Sequence, residues 1–496
     1  MCRLPFRKYM KKLIIIFLFI SSKLVILANE PPNIIFFLID DQRYDYLSML
    51  DHPFVQTPHI DELAKNGVYF DQAFVTTSLC SPSRASIVTG QYAHKHNVMD
   101  NDTDLNPGTP TYPKELKKAG YQTGFVGKWH MGHGTDERRQ GFDYWVSFKG
   151  QGRYVDPELN VDGERKVIKG HMTDVLTDLA VNYIKEQSKS KQPYFLCLSH
   201  KAVHENFTPA VRHHKTFINE QITYPDSYAD IEQNYKGKPD WLRKQRISWH
   251  GAERDYINTD RVEGDDLARM TQIYAECMLG VDESIGTVIN TLKQLGELEN
   301  TVIIYMSDNG YLLGEHGLID KRVMYEESIR VPAFFHWGEK IKQGSICSEF
   351  VLNIDIAPTI LDIAGINIPE TMQGKSFLPL ALGEEKKWRK DFIYEYFVDP
   401  AAVMTPTIFG LRTKQYSYMT YHGVWDNYEL YDIQKDPTQR HNLLGDVVYG
   451  QDYGPFIPHA IKQLPELAST IKILDQRLHE LLEQTDGQRK PTWYKH

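Results

Sequence analysis

Cysteine is scarce in this sequence: Cys2, Cys80, Cys197, Cys277 and Cys347 are scattered over 496 residues. So few, so widely spaced, exclude a disulfide framework. Beyond the N-terminus no apolar run is long enough to span a bilayer, and there are no internal repeats or low-complexity tracts. Excess positive charge is also missing. A formal net charge of −9 argues against nucleic acid as the main partner, so an anionic substrate would need a locally basic pocket. What is present, 41% hydrophobic and 24% charged residues, suits one large globular domain plus a smaller one.

The N-terminus reads as a targeting segment. Arg3, Arg7, Lys8, Lys11 and Lys12 precede the apolar Leu13–Ile20, and Leu24–Ala28 follows Lys23. The apolar part is short and interrupted, which is the pattern of an export signal over residues 1–28 rather than a membrane span. Met10 offers a second start with a more compact signal. No cysteine lies near the expected cleavage point, which disfavours a lipoprotein anchor. The expectation is a periplasmic or secreted protein without a membrane anchor.

The chain then alternates strands and helices. Asn33–Ile39 is apolar on both faces, as in a central strand covered on two sides, and it ends in Asp40-Asp41. Thr123–Val126 leads into Gly127-Lys128-Trp129-His130, and Tyr194–Leu198 delivers Ser199-His200-Lys201-Ala202-Val203-His204. Thr301–Met306 delivers Ser307-Asp308-Asn309-Gly310. Helical patterns at His59–Asn66, Thr173–Lys185, Leu267–Leu295 and Pro358–Ala364 separate these strands or follow them. In open parallel α/β sheets the ligand crevice lies beyond the carboxyl ends of the strands, where these polar groups should converge.

Residues 204–266 carry tyrosine, tryptophan and basic side chains, including Tyr235, Trp241 and Arg243, and read as a substrate-binding rim. After a charged linker beginning at Gly383, short β-like runs and the amphipathic Leu467–Leu482 suggest a small α+β unit. The expected organisation is a catalytic α/β domain over 29–385 and a C-terminal α+β subdomain over 386–496.

Thr77–Gly90 is the most telling stretch. Cys80-Ser81-Pro82-Ser83-Arg84 opens a short helix that Gly90 closes, so Cys80 is expected at a helix N-terminus, where a thiol's pKa is lowered. Cys197, within an apolar run, reads as core. Asp40, Asp41, Asp308 and Asn309 supply the hard oxygen ligands of a Ca²⁺ site, with Mg²⁺ a poorer fit because so many protein ligands leave little room for water. Lys128, His130, His204 and Lys321 add positive charge and proton-transfer groups, and Arg84 could orient the nucleophile. Such a constellation suits sulfuryl or phosphoryl transfer.

These motifs, with Glu429-Leu430-Tyr431-Asp432, resemble the type I, formylglycine-dependent sulfatases of the alkaline phosphatase superfamily over most of the chain. The resemblance implies an alkaline-phosphatase-like fold. It also implies that a formylglycine-generating or sulfatase-maturating enzyme oxidises Cys80 to formylglycine. Of the two hydroxyls of that hydrate, one attacks sulfur and the other later expels sulfate. Carried over by motif, Asp40, Asp41, Cys80, Asp308 and Asn309 hold Ca²⁺, while Arg84 and Lys128 stabilise the hydrate. His130 assists elimination, and His204 with Lys321 binds sulfate and protonates the leaving oxygen. His200 competes with His204 for that role, and His316 is a further candidate lining residue. Gly314-Glu315-His316-Gly317 and Asp320-Lys321-Arg322 resemble bacterial carbohydrate sulfatases, implying a sulfated carbohydrate such as ulvan, carrageenan or a glycosaminoglycan. The competing readings are a phosphonate monoester or phosphodiester hydrolase of the same superfamily and a non-catalytic glycan-binding homologue.

Overall fold

The computed structural model describes residues 31–132, 134–253, 266–384, 386–422, 428–447 and 456–487; the export signal expected over 1–28 lies outside them. From Pro32 onward the chain forms one compact unit.

Its frame is a ten-stranded sheet. In chain order the strands are β1 (Asn33–Ile39), β2 (Val68–Phe70), β3 (Gln122–Gly127), β4 (Tyr144–Ser147) and β5 (Glu158–Val161). They continue with β6 (Glu164–Val167), β7 (Tyr194–Ser199), β8 (Thr301–Ser307), β9 (Ala333–His336) and β10 (Ser345–Cys347). The spatial order is β10-β2-β9-β8-β1-β7-β3-β4-β5-β6. The centre, β8-β1-β7-β3-β4, is parallel throughout, and antiparallel pairs begin at β9 and β5.

Alternation along β1 shows why the centre is apolar on both faces. Ile34, Phe36 and Leu38 enter one core and Ile35, Phe37 and Ile39 the other. The second core is covered by helices α1 (Pro58–Lys65), α3 (Met172–Gln187) and α4 (Asp266–Leu295). The first is covered by α2 (Cys80–Thr89) and α5 (Ile356–Ile363). That same core extends into a four-stranded antiparallel sheet of β11 (Asp391–Tyr396), β12 (Thr407–Thr413), β13 (Tyr416–His422) and β14 (Tyr428–Asp432). Helix α6 (Ala468–Gln484) closes it with Ile471, Leu474, Leu478 and Leu482. The fold is thus the large, mainly parallel α/β sheet with a small C-terminal antiparallel sheet. Among the described residues no helix is long and apolar enough to cross a membrane.

Two of the rings after His204, Tyr235 and Trp241, lie deeper than the rim expected of that segment, while the Arg243 side chain is 41% exposed. Tyr235 is buried, donates to the His316 carbonyl at 2.9 Å and accepts from Arg246 at 2.7 Å, while Trp241 packs edge-on against Tyr421. Polar partners and apolar neighbours draw these rings inward, and of those the sequence singled out they brace the fold.

Candidate active site

The ends of β1, β8, β3 and β7 and the start of α2 meet in one buried crevice. Backbone bonds register them: the Asp308 N–H donates to the Ile39 carbonyl at 3.0 Å, Asp40 to Ala202 at 3.1 Å and Lys128 to Ser199 at 2.8 Å. Asp41 turns through φ +60°, and its N–H donates to Asp308 Oδ1 at 3.1 Å. Helix α2 enters from the first core. Its Ser81 hydroxyl donates to the His130 carbonyl and its Ser83 hydroxyl to the Asp308 carbonyl. Gly90, at φ +67°, ends the helix in the left-handed conformation glycine tolerates best.

Cys80 Sγ is 3.5 Å from Asp40 Oδ1 and 3.9 Å from Asp41 Oδ1. Asp40, Cys80 and Asp308 offer ligand atoms within 4.8 Å of one another. The expected fall in the thiol's pKa does not occur. Burial pushes Cys80 up, and the neighbouring Lys128 and Lys321 do not offset it. A helix N-terminus favours an anion only where its desolvation is also compensated, and Cys80 is fully buried beside two carboxylates.

The cations fold onto the acids. Arg84 Nε donates to Asp308 Oδ2 at 2.8 Å, and Nη1 donates to the Lys128 carbonyl at 2.6 Å and to Ser199 Oγ at 2.8 Å. Lys128 pairs with Asp40 and Lys321 with Asp41. Burial opposes ionisation of Asp40, but Lys128, His204 and Arg84 hold it well below the usual carboxylate range. Asp308 goes the other way. Burial, with the Asp40 and Asp41 charges, pushes it up to about 7 against the pull of Arg84. Asp41 Oδ2 and Asn309 Oδ1 are buried without a hydrogen-bond partner. Asn309 Nδ2 donates to Asp41 Oδ1 at 2.7 Å, which leaves the amide oxygen as the available donor atom. Orphaned hard oxygens and a carboxylate reluctant to ionise fit a divalent hard cation held by Asp40, Asp41, Asp308 and Asn309.

The histidines separate clearly. His204 Nε2 lies 3.9 Å from Asp41 Oδ2, and burial with Lys128 lowers its pKa well below the ordinary value. His200 instead bonds α4, with Nε2 2.9 Å from Ser284 Oγ, and burial lowers it to about 3. His130, at φ +54°, places Nε2 3.1 Å from the Gln151 side-chain amide. His316 stacks on Tyr325 at 3.8 Å and accepts from Lys238 at Nδ1, 2.9 Å away, so its ring belongs to the interface with the C-terminal sheet. Cys197 is core, and Cys80, Cys197, Cys277 and Cys347 are all free thiols.

Two neighbouring groups escaped the sequence reasoning. Gln151 lies between Gly150 and Gly152, both at positive φ, a turn signal that marks the loop but not its target. Lys201 is buried with Nζ 4.5 Å from the Tyr154 ring centre, and burial and Lys128 lower its pKa to about 8. Its place between Ser199 and His204 was the available signal.

The described crevice is joined by a family match: the model described as "Sulfatase" covers residues 32–366. The chain belongs to the sulfatase family. This sulfatase is a sulfuric ester hydrolase, and its residues 314–456 also match the model described as N-sulphoglucosamine sulphohydrolase, C-terminal. It is 34% identical to an N-acetylglucosamine-6-O-sulfatase of Bacteroides thetaiotaomicron over 85% of this chain and 84% of that one. To the N-acetylglucosamine-6-sulfatase of Homo sapiens it is 32% identical over 77% and 70% of the two chains. A solved structure in complex with its substrate D-glucosamine-2-N,6-O-disulfate superposes with a TM-score of 0.83 at 31% identity, covering 94% of the sulfatase and 100% of that chain. A phosphonate monoester hydrolase of Silicibacter pomeroyi, at TM-score 0.72 and 22% identity, shares the fold.

Proposed function

We propose that this sulfatase removes sulfate esters from carbohydrates, glycosaminoglycan or other polysaccharide fragments, after a maturation enzyme has oxidised Cys80 to formylglycine. The observation that carries the reading is a buried Cys80 at a helix start, within 4.8 Å ligand-atom spacing of Asp40 and Asp308 and ringed by Arg84, Lys128 and Lys321. A thiol whose pKa is raised by burial is a poor nucleophile in its own right, which favours a modified side chain. Formylglycine supplies a hydrated aldehyde, with one hydroxyl for attack on sulfur and another for release of sulfate. A Ca²⁺ ion held by Asp40, Asp41, Asp308, Asn309 and the modified Cys80 would polarise the sulfate oxygens.

The protein's own groups do the rest. Arg84 fixes Asp308 and holds the start of α2 against the strand ends. Lys128 and Lys321 offset negative charge at the reacting centre. His204 rests neutral, and an arriving sulfate anion raises its proton affinity, so it is suited to protonate the leaving sugar oxygen. His130, steadied at Nε2 by Gln151, would accept a proton as sulfate is expelled. Residues 29–385 would form the catalytic domain and 386–496 the subdomain that braces it. Residues 1–28 would direct export to the periplasm or beyond.

The carbohydrate assignment is supported by the relatives, which are named for N-acetylglucosamine 6-sulfate esters, and by the glucosamine disulfate in the similar complex. Sulfate release from defined sulfated saccharides, alongside mass spectrometry of the Cys80 peptide, tests both halves of the proposal. An active enzyme bearing only a free thiol at Cys80 overturns the formylglycine mechanism. The shared fold of phosphonate monoester hydrolases favours one second reading. Dominant turnover of bis-p-nitrophenyl phosphate over p-nitrophenyl sulfate would establish it.

A further inference from the structure

A second basic cavity opens beside the crevice, on the loop after β4. It measures about 440 Å³, within the range of small-ligand sites, and is lined by Asp136, Phe148, Lys149, Gly152, Arg153, Glu158 and Arg165. Its three cations outnumber its two carboxylates. Arg165 is spent on a bidentate pair with Asp136 and a contact to Glu137 at 2.7 Å. Lys149 and Arg153 are exposed, and among the described residues neither has a carboxylate at salt-bridge distance. Two cations therefore face the cavity without a direct ion pair, although the charge of Lys149 is felt by Asp136 and that of Arg153 by Asp156.

The loop that carries them is fixed in shape and stitched to the catalytic histidines. Gly152 takes φ +63°, and a side chain there would meet the Phe148 ring at 2.6 Å. Gln151 lies 3.1 Å from His130 Nε2, and the Tyr154 hydroxyl donates to the His204 carbonyl at 2.8 Å. Lys149 and Arg153 thus flank the residue that touches His130 and precede the one that touches His204.

We propose that this cavity is a second anion subsite, in which Lys149 and Arg153 receive the carboxylate or sulfate of the sugar adjoining the one that loses its ester. The inference rests on the carbohydrate reading above. The cations act on binding and stand apart from the reacting atoms, so they govern KM for polyanionic saccharides rather than kcat.

The test compares matured full-length enzyme with the double variant Lys149→Ala/Arg153→Ala. Substrates are p-nitrophenyl sulfate, a disaccharide of 6-O-sulfated glucosamine and a uronate, its carboxyl-reduced form, and the disaccharide with and without a 2-O-sulfate on the uronate. The expected result is a KM raised about tenfold for the polyanionic disaccharides, the scale of one charge-assisted contact, with kcat within about twofold. Turnover of p-nitrophenyl sulfate stays at the wild-type value, and the salt dependence of KM flattens. An effect that vanishes on carboxyl reduction assigns the carboxylate; one that vanishes on removing the uronate 2-O-sulfate assigns the sulfate. Equal kinetics of variant and wild type on saccharides that the wild type cleaves overturn the subsite alone, as does an equal loss on every substrate. A wild type that cleaves the aryl sulfate and no saccharide overturns the carbohydrate reading and the subsite with it.

Discussion

Two regions of the sulfatase bury ionic groups and treat them in opposite ways. In the crevice three carboxylates crowd together, Asp308 resists ionisation, and Asp41 Oδ2 and Asn309 Oδ1 have no hydrogen-bond partner. Beneath the C-terminal sheet, Glu429 is equally buried, yet its oxygens receive the hydroxyls of Tyr325, Tyr421 and Tyr431. Nearby, Arg412 pairs with Glu326 at 2.7 Å. Where every polar group is satisfied the network holds the structure together. Where some are left open, the protein has kept interaction free energy available for a ligand.

Substitutions can break or sharpen this contrast. The largest effect is expected for Cys80→Ser, which should lower sulfate release by about 10³-fold or more while the thermal midpoint stays unchanged. A large loss of stability instead would place Cys80 in the structural class. His204→Ala should lower kcat by roughly 10²-fold, the scale of general acid catalysis. His200→Ala should leave kcat largely intact and lower stability, because His200 is bonded to Ser284 on α4. Steady-state kinetics beside denaturant melts separates the two.

Glu429→Leu strands three buried tyrosine hydroxyls and should cost about 3 kcal/mol of stability, with kcat per folded molecule retained. Urea denaturation measures this, and a variant as stable as wild type would dissolve the distinction between the regions. The smallest effect concerns His94, which pairs with Glu395 at 2.8 Å and lies 2.8 Å from the Thr485 carbonyl just after α6. Burial works against its protonation, but the bond to Glu395 prevails and raises its pKa. Its stabilisation is therefore complete below the unfolded pKa, about 6.5, and is lost as pH rises through the higher folded value. His94→Gln should flatten that part of the stability–pH curve; an unchanged curve would remove His94 from the clip.

Four strands of the parallel centre were legible because they depend on local pattern, whereas β2, β4, β5, β6, β9 and β10, short or at the edges of the sheet, were not. Apolar runs marked β1, β3, β7 and β8, and Pro82 with Gly90 marked α2, whose ends fall at Cys80 and Thr89. The polar groups at strand ends followed from the geometry of parallel sheets. The inward turn of Tyr235 and Trp241 was not legible. Composition shows that aromatic rings are present, but which side is dry depends on partners such as His316 and Tyr421.

The sequence by itself determined the order of elements and the ligand types gathered where the central strands end, since backbone preference and hydrophobic period act over a few residues. Tertiary structure alone decided that His204 and not His200 faces Asp41, that burial raises rather than lowers the Cys80 thiol, and that Lys149 and Arg153 flank a cavity beside His130. Desolvation and through-space charge depend on which distant segments pack together. Cys80 and Asp308 become neighbours only when the sheet closes over α2.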